Sequence, residues 1–160
     1  LGSLFWVADL REYFSALAEV ASPSGTYLLY DFHPALHMLN DDLILDCPTP
    51  SGTAILHERG IKDYVFSEDG YYLPGREDAG SVEFANPYPV TYYVWGLGDI
   101  ISACAAAKWA VDELTEYNYI FGERYLSGMV GAEDHTFGMP GRMSHYPCTF
   151  ILKLRRWVVP

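Results

Sequence analysis

The feature that most constrains this fold is an amphipathic helix pattern followed directly by a short apolar strand pattern. Between Asp9 and Ala21 the apolar residues recur at the spacing of one helix face: Leu10, Tyr13, Phe14, Leu17, Val20 and Ala21. Asp9 stands where a helix N-cap is expected, and the turn at 22–25 ends the helix. Residues 26–32 then form a continuous apolar run, which is typical of a strand covered on both faces.

The same alternation returns later in the chain. Residues 97–108 predict a second helix, with Cys104 on its buried face, and residues 111–117 predict a strand after it. Residues 149–154 predict a final strand that pairs antiparallel with the preceding one at one edge of the sheet. Helices that alternate with buried strands favour a layered α/β fold.

Residues 35–95 are the irregular part of the chain. Pro, Gly and acidic residues interrupt them, and the short apolar runs at 64–66 and 71–73 predict two small strands. Long connections of this kind usually carry function, so we interpret 35–95 as an insertion or substrate lid. A tolerated insertion without a role is the alternative.

Charge and composition exclude several classes of partner. The net charge is −11, with ten Lys and Arg, which disfavours nucleic acid and anionic membrane surfaces as partners. No apolar stretch approaches the roughly 18 residues of a membrane span. Three widely spaced cysteines, Cys47, Cys104 and Cys148, indicate reduced thiols in a cytoplasmic protein.

Five short segments, in this order, resemble class I S-adenosylmethionine-dependent methyltransferases. They are the opening at 1–10, the strand entry at 19–29, Asp31-Phe32-His33-Pro34 at that strand's end, the helix at 97–109 and the closing strand from 139 to 156. Each segment alone is a weak signal, and their order carries the resemblance. Lys108 departs from the family pattern, because it stands where a Gly normally ends the helix.

The resemblance implies that 1–160 are the C-terminal part of one methyltransferase domain. This part would supply the last three strands of a Rossmann-like, seven-stranded sheet, with an antiparallel final strand and an insertion or lid. It implies S-adenosyl-L-methionine as cofactor, with Gly2, Ser3 and Leu4 beside it. The Gly-rich cofactor loop of the family is missing, so we expect a partial enzyme whose partner is an N-terminal half, with a homo-oligomer left open.

Methyl transfer needs an aligned acceptor and, for a hydroxyl or amine, removal of a proton. His33 at the strand's end, and His37 one helical turn later, are the candidate catalytic bases; hydrogen bonding within the loop is the alternative for each. Candidate substrate-binding residues are Trp6, Tyr92 and Tyr93, with Trp95, as an aromatic wall for a cation, and Arg142 and His145 before the last strand. Core packing and a surface loop are their alternatives.

The expected function is therefore methyl transfer from S-adenosylmethionine to nitrogen or oxygen of a small molecule. A non-catalytic binding or dimerisation module derived from such an enzyme is the main alternative. An α/β enzyme of different chemistry, with a pocket behind His33, is a second one. We expect no metal site, because no His, Cys or Asp residues stand at ligand spacing.

Overall fold

The computed structural model describes residues 3–46, 51–57, 89–122 and 124–157. Two α-helices, α1 (Leu10–Val20) and α2 (Leu97–Ala106), lie in these ranges. The strands are β1 (Thr26–Phe32), β2 (Thr53–His57), β3 (Val90–Val94), β4 (Trp109–Tyr117), β5 (Tyr119–Phe121), β6 (Val130–Gly131), β7 (Thr136–Gly138) and β8 (Thr149–Arg156). Short 3-10 helices occupy Leu4–Trp6, Pro34–Met38 and Gly141–Met143.

Helix α1 begins where the sequence predicted. The Asp9 side chain accepts hydrogen bonds from the backbone N–H groups of Arg11 and Glu12, which confirms it as the N-cap. The buried face consists of Leu10, Phe14 and Ala18, at a spacing of four residues. Val20, which the periodicity assigns to that face, is 82% exposed, whereas Leu17 and Ala21 pack against the core.

The main sheet has the strand order β1-β8-β4, with both outer strands antiparallel to β8. Leu29 pairs with Leu152 of β8, and Leu152 pairs in turn with Leu114 of β4. The residues on this face of the sheet and the buried faces of α1 and α2 form one apolar core. Both helices therefore cover the same side of the sheet.

Two smaller sheets complete the described part of the chain. Strands β2 and β3 form an antiparallel pair, and β5, β7 and β6 form a three-stranded sheet in that order. A second apolar cluster lies beside the small three-stranded sheet and includes Phe32, Leu36 and Ile120. It surrounds the segment that follows β1, where the candidate site lies.

The predicted Rossmann-like parallel sheet is wrong. Within the described ranges every strand pairing is antiparallel, the strands are divided among three small sheets, and only two α-helices occur. The physical reason is that β8 lies between β1 and β4 and takes the hydrogen bonds that a parallel neighbour would need. The predicted antiparallel pairing of the last two long strands is confirmed, but β8 is the central strand of the main sheet and does not lie at its edge.

The expectation that β1 is covered on both faces is also wrong. Leu28 is 63% exposed and Tyr30 lies at the surface, on the side of the sheet opposite the helices. Both helices pack against the other side, which Leu29 faces. An apolar run in this strand therefore does not indicate burial on two sides.

Lys108 stands where the resemblance implies a Gly, and it adopts the left-handed backbone conformation that Gly favours, with φ +61°. The strands predicted at 64–66 and 71–73 lie outside the described residues, as does most of the proposed lid at 35–95. No helix in the described ranges is both long and apolar enough to cross a membrane.

Candidate functional site

Asp31, at the carboxyl end of β1, is the anchor of the candidate site. Its side chain is almost fully buried and accepts hydrogen bonds from Ser3 Oγ at 3.3 Å and from the Leu4 backbone N–H at 3.1 Å. Its other carboxylate oxygen accepts the backbone N–H of Phe32 at 2.8 Å. These bonds hold the chain segment before α1 against the end of β1.

A small cavity lies at this junction. Its volume is about 20 Å³, which is room for one water-sized group. Polar groups come from Asp31 and His37, and the other lining residues are apolar or aromatic: Leu4, Phe5, Phe32, Pro34, Tyr93, Trp95, Ile100 and Phe150. Such a mixture of apolar walls and few polar groups is typical of ligand sites, although this cavity admits only the end of a ligand.

A larger and more open cavity of about 320 Å³ shares Trp95 with the small one. It lies between the first turns of α1 and α2, and Asp9, Asp99 and Ser102 are among its polar lining residues. The Trp95 indole N–H donates to the Val7 carbonyl oxygen at 2.8 Å, and this bond fixes the position of the ring. A volume of this size suits a small organic molecule.

His33 is buried, and both of its ring nitrogens have contacts within the protein. Nδ1 accepts the backbone N–H of Ala35 at 3.1 Å, and Nε2 lies 2.7 Å from Oε1 of Glu116 on β4. Because Nδ1 is an acceptor, the single proton of the neutral ring is on Nε2. Burial lowers the His33 pKa, and the Glu116 carboxylate opposes that shift only in part. His33 thus caps the 3-10 helix at Pro34–Met38 and has no lone pair left for a substrate proton.

His37 lies in that 3-10 helix, and its ring lines the small cavity. Nδ1 is 2.9 Å from the Tyr125 hydroxyl, and the ring packs edge-on against Phe5 with centroids 4.5 Å apart. Nε2 is buried and has no hydrogen-bond partner among the residues that the structure describes. Desolvation, with a smaller contribution from nearby His33, lowers the His37 pKa to about 4. The ring is therefore neutral at pH 7.

The structure brings together some of the predicted site residues. Leu4, His37 and Tyr93 line the same small cavity, and the ring of Tyr92 contacts Phe5 with centroids 5.8 Å apart. Ser3 lies next to this cavity, through its bond to Asp31. Trp6 is 46% exposed and does not line it. Gly2 lies outside the described residues.

Arg142 and His145 lie elsewhere. Arg142 belongs to the 3-10 helix at Gly141–Met143, and both side chains are exposed. Neither lines the small cavity or the larger one. Their predicted role in holding a substrate has no geometric support at this site.

Sequence reasoning missed three residues that shape the site: Asp31, Glu116 and Tyr125. Asp31 had a visible signal, since it is a charged residue at the end of an apolar strand. Glu116 and Tyr125 contact histidines that are 83 and 88 positions away, respectively, and nothing local in the sequence indicates such partners. Within the described ranges, no three His, Cys, Asp or Glu residues form a group that could hold a metal ion.

Comparisons with known proteins found no match. No family model matches the chain, and no curated protein or solved structure matches it significantly.

Proposed function

We propose that this chain forms the acceptor side of an enzyme that transfers a methyl group from S-adenosyl-L-methionine to a small molecule. The resemblance assigns Ser3 and Leu4 to the cofactor, while the position and side-chain chemistry of His37 and Tyr93 make them the candidate residues for the acceptor. The supporting observation is that Leu4, His37 and Tyr93 line one cavity, with Asp31 joining Ser3 and Leu4 to the end of β1. Cofactor and acceptor must meet at one point for an in-line displacement.

The aromatic character of the site fits the cofactor's charge. Phe5, Tyr93 and Trp95 line the small cavity, Trp95 also lines the larger one, and aromatic faces attract a sulfonium. His37 is neutral at pH 7 and adds no opposing positive charge. In this proposal His37 orients the acceptor through a hydrogen bond, and the displacement depends on alignment for most of its rate.

The proposed compartment is the cytoplasm. Cys104 and Cys148 are free and buried, and burial raises their pKa values to about 12 and about 11. Both thiols therefore stay protonated and fit a reducing environment. The acidic surface supports a small-molecule substrate over nucleic acid.

A calorimetric titration of the protein with S-adenosyl-L-methionine tests the proposal. Because the family's cofactor loop is missing from this chain, we expect weak binding by the chain alone. We expect saturable binding, and release of S-adenosylhomocysteine from a pool of small amines and phenols, when the N-terminal half that the resemblance implies is also present. Asp31→Asn should weaken cofactor binding, since the amide supplies one acceptor oxygen instead of two. Asp42→Asn, on an exposed turn, is the matched loss of one charge and should bind normally. Absence of saturable binding even with that half present would exclude a methyltransferase.

A binding or dimerisation module is the second candidate, and one observation favours it. The face of the main sheet opposite the helices exposes Leu28 and Tyr30 of β1. Cofactor binding without methyl transfer to any acceptor, together with concentration-dependent association, would favour this candidate.

A further inference from the structure

We propose that Tyr125 holds His37 in the tautomer protonated at Nε2, so that the site binds its ligand through a neutral hydrogen-bond-accepting oxygen. Such an oxygen belongs to a carbonyl, amide or ether group. The statement that this ligand is the methyl acceptor rests on the proposed function. The tautomer and the ligand chemistry are argued from the contacts, burial and charge of the site and do not depend on that function.

The first step concerns the hydrogen bond between the two side chains. The Tyr125 hydroxyl lies 2.9 Å from His37 Nδ1. A phenol is a better donor than a neutral imidazole N–H, and an imidazole nitrogen is a better acceptor than a phenol oxygen. The hydroxyl therefore donates to Nδ1. A neutral imidazole carries a single N–H, so the proton lies on Nε2.

The second step concerns the state of Nε2. This nitrogen is buried, and no group in the described part of the chain forms a hydrogen bond with it. A buried N–H without an acceptor is unfavourable, and a ligand oxygen that accepts from it removes this cost. A ligand whose groups only donate hydrogen bonds forms none at this position, because His37 Nε2–H is itself a donor.

The third step concerns charge and size. Asp31 lines the same cavity, so its carboxylate repels an anionic oxygen, and neither His37 nor His33 supplies a positive charge at pH 7. A neutral oxygen is therefore preferred to a carboxylate. The cavity volume of about 20 Å³ fits a single terminal oxygen.

Nitrogen chemical shifts of the imidazole test the tautomer directly. In the ¹⁵N-labelled full chain at pH 7, we expect Nδ1 of His37 in the unprotonated range and Nε2 in the protonated range. Tyr125→Phe should bring both shifts toward intermediate values, because neither nitrogen is then fixed as the acceptor. Tyr146→Phe is the matched control: it removes a hydroxyl that bonds the Ala35 carbonyl oxygen of the same loop, without contacting His37. A proton on Nδ1 in the wild type, or unchanged shifts in Tyr125→Phe, would overturn the proposal.

Small probes of opposite polarity test the ligand chemistry. We expect acetone, which only accepts hydrogen bonds, to shift the His37 resonances saturably, and methylammonium and acetate to shift them less at equal concentration. Tyr125→Phe should weaken the acetone effect about 3- to 10-fold, which corresponds to one hydrogen bond. A stronger response to methylammonium or acetate, or no response to acetone, would contradict the ligand assignment. These measurements need no cofactor, so a failure of methyl transfer leaves them interpretable.

Discussion

At the scale of single residues, the site depends on side chains that are buried yet polar. Asp31 accepts the Leu4 N–H, and no other acceptor for that donor is present in the described part of the chain. Asp31→Ala would leave it unpaired, so we expect a loss of about 2–3 kcal/mol in the free energy of unfolding. Ser3→Ala removes only a long bond from an exposed side chain and should cost less than about 1 kcal/mol. Chemical denaturation measures both, and equal losses would contradict the role of Asp31.

The pH dependence of stability should report on His37. Its folded-state pKa of about 4 lies below the ordinary 6.5, so on acidification the unfolded chain takes up a proton that the folded chain excludes. The contribution of neutral His37 to the free energy of unfolding is fully present above about pH 6.5. Between that pH and pH 4 the free energy of unfolding falls by about 1.4 kcal/mol per pH unit. The lowered pKa of His33 acts in the same direction.

The measurement is the difference in unfolding free energy between wild type and His37→Gln across this pH range. The glutamine does not titrate, so the variant should lose less stability on acidification, by about 2 kcal/mol at pH 5. Comparing the two proteins removes the contribution of the carboxylates. Parallel pH profiles would show that His37 titrates normally in the folded protein.

At the scale of elements, helix α1 provides a test of the core. Phe14 is completely buried against the main sheet, and its carbonyl oxygen accepts the Trp109 indole N–H at 3.0 Å. Phe14→Ala should therefore reduce the free energy of unfolding by about 3–5 kcal/mol. Val20→Ala, at the exposed end of the same helix, should change it by less than about 0.5 kcal/mol. Similar effects of the two substitutions would contradict the assignment of Phe14 to the buried face of α1 and of Val20 to its exposed side.

The end of α2 contains a strained position that can be relieved. Lys108 has φ +61°, a conformation that costs an L-residue about 1 kcal/mol and that Gly adopts freely. Lys108→Gly should raise the free energy of unfolding by about 1 kcal/mol. Lys108→Ala keeps the strain while removing the charge and should not stabilise the protein. Thermal unfolding of the two variants distinguishes relief of strain from loss of charge.

The sequence predicted individual elements better than their arrangement. Asp9 as N-cap and the strand at 26–32 are local features, and local spacing is enough to predict them. The left-handed conformation of Lys108 was implied by the resemblance, in which a Gly stands at this position. Sheet direction depends on which strands meet, and β8 meets a strand that lies more than a hundred residues earlier. The site follows the same division. His37 was visible from the sequence, while its partner Tyr125 comes from a distant loop.

At the scale of the whole molecule, the uncovered face of the main sheet should cause association. Leu28 lies on this face, directly opposite Lys153 of β8. We expect a concentration-dependent increase in apparent mass by light scattering. Leu28→Glu should abolish it without loss of stability, because the new carboxylate faces an ammonium group. Val130→Glu adds the same charge to an exposed strand of another sheet and should leave association unchanged. Identical association in all three proteins would exclude this face as the contact.

The position of β8 between β1 and β4 has a consequence for synthesis on the ribosome. Both outer strands are translated before β8, and no described strand other than β8 pairs with either of them. Until residues 149–156 leave the exit tunnel, the two helices can pack only against unpaired neighbours. Completion of the main sheet is thus postponed until after most of the chain has emerged, and the apolar faces of both helices lack their complete sheet through that interval.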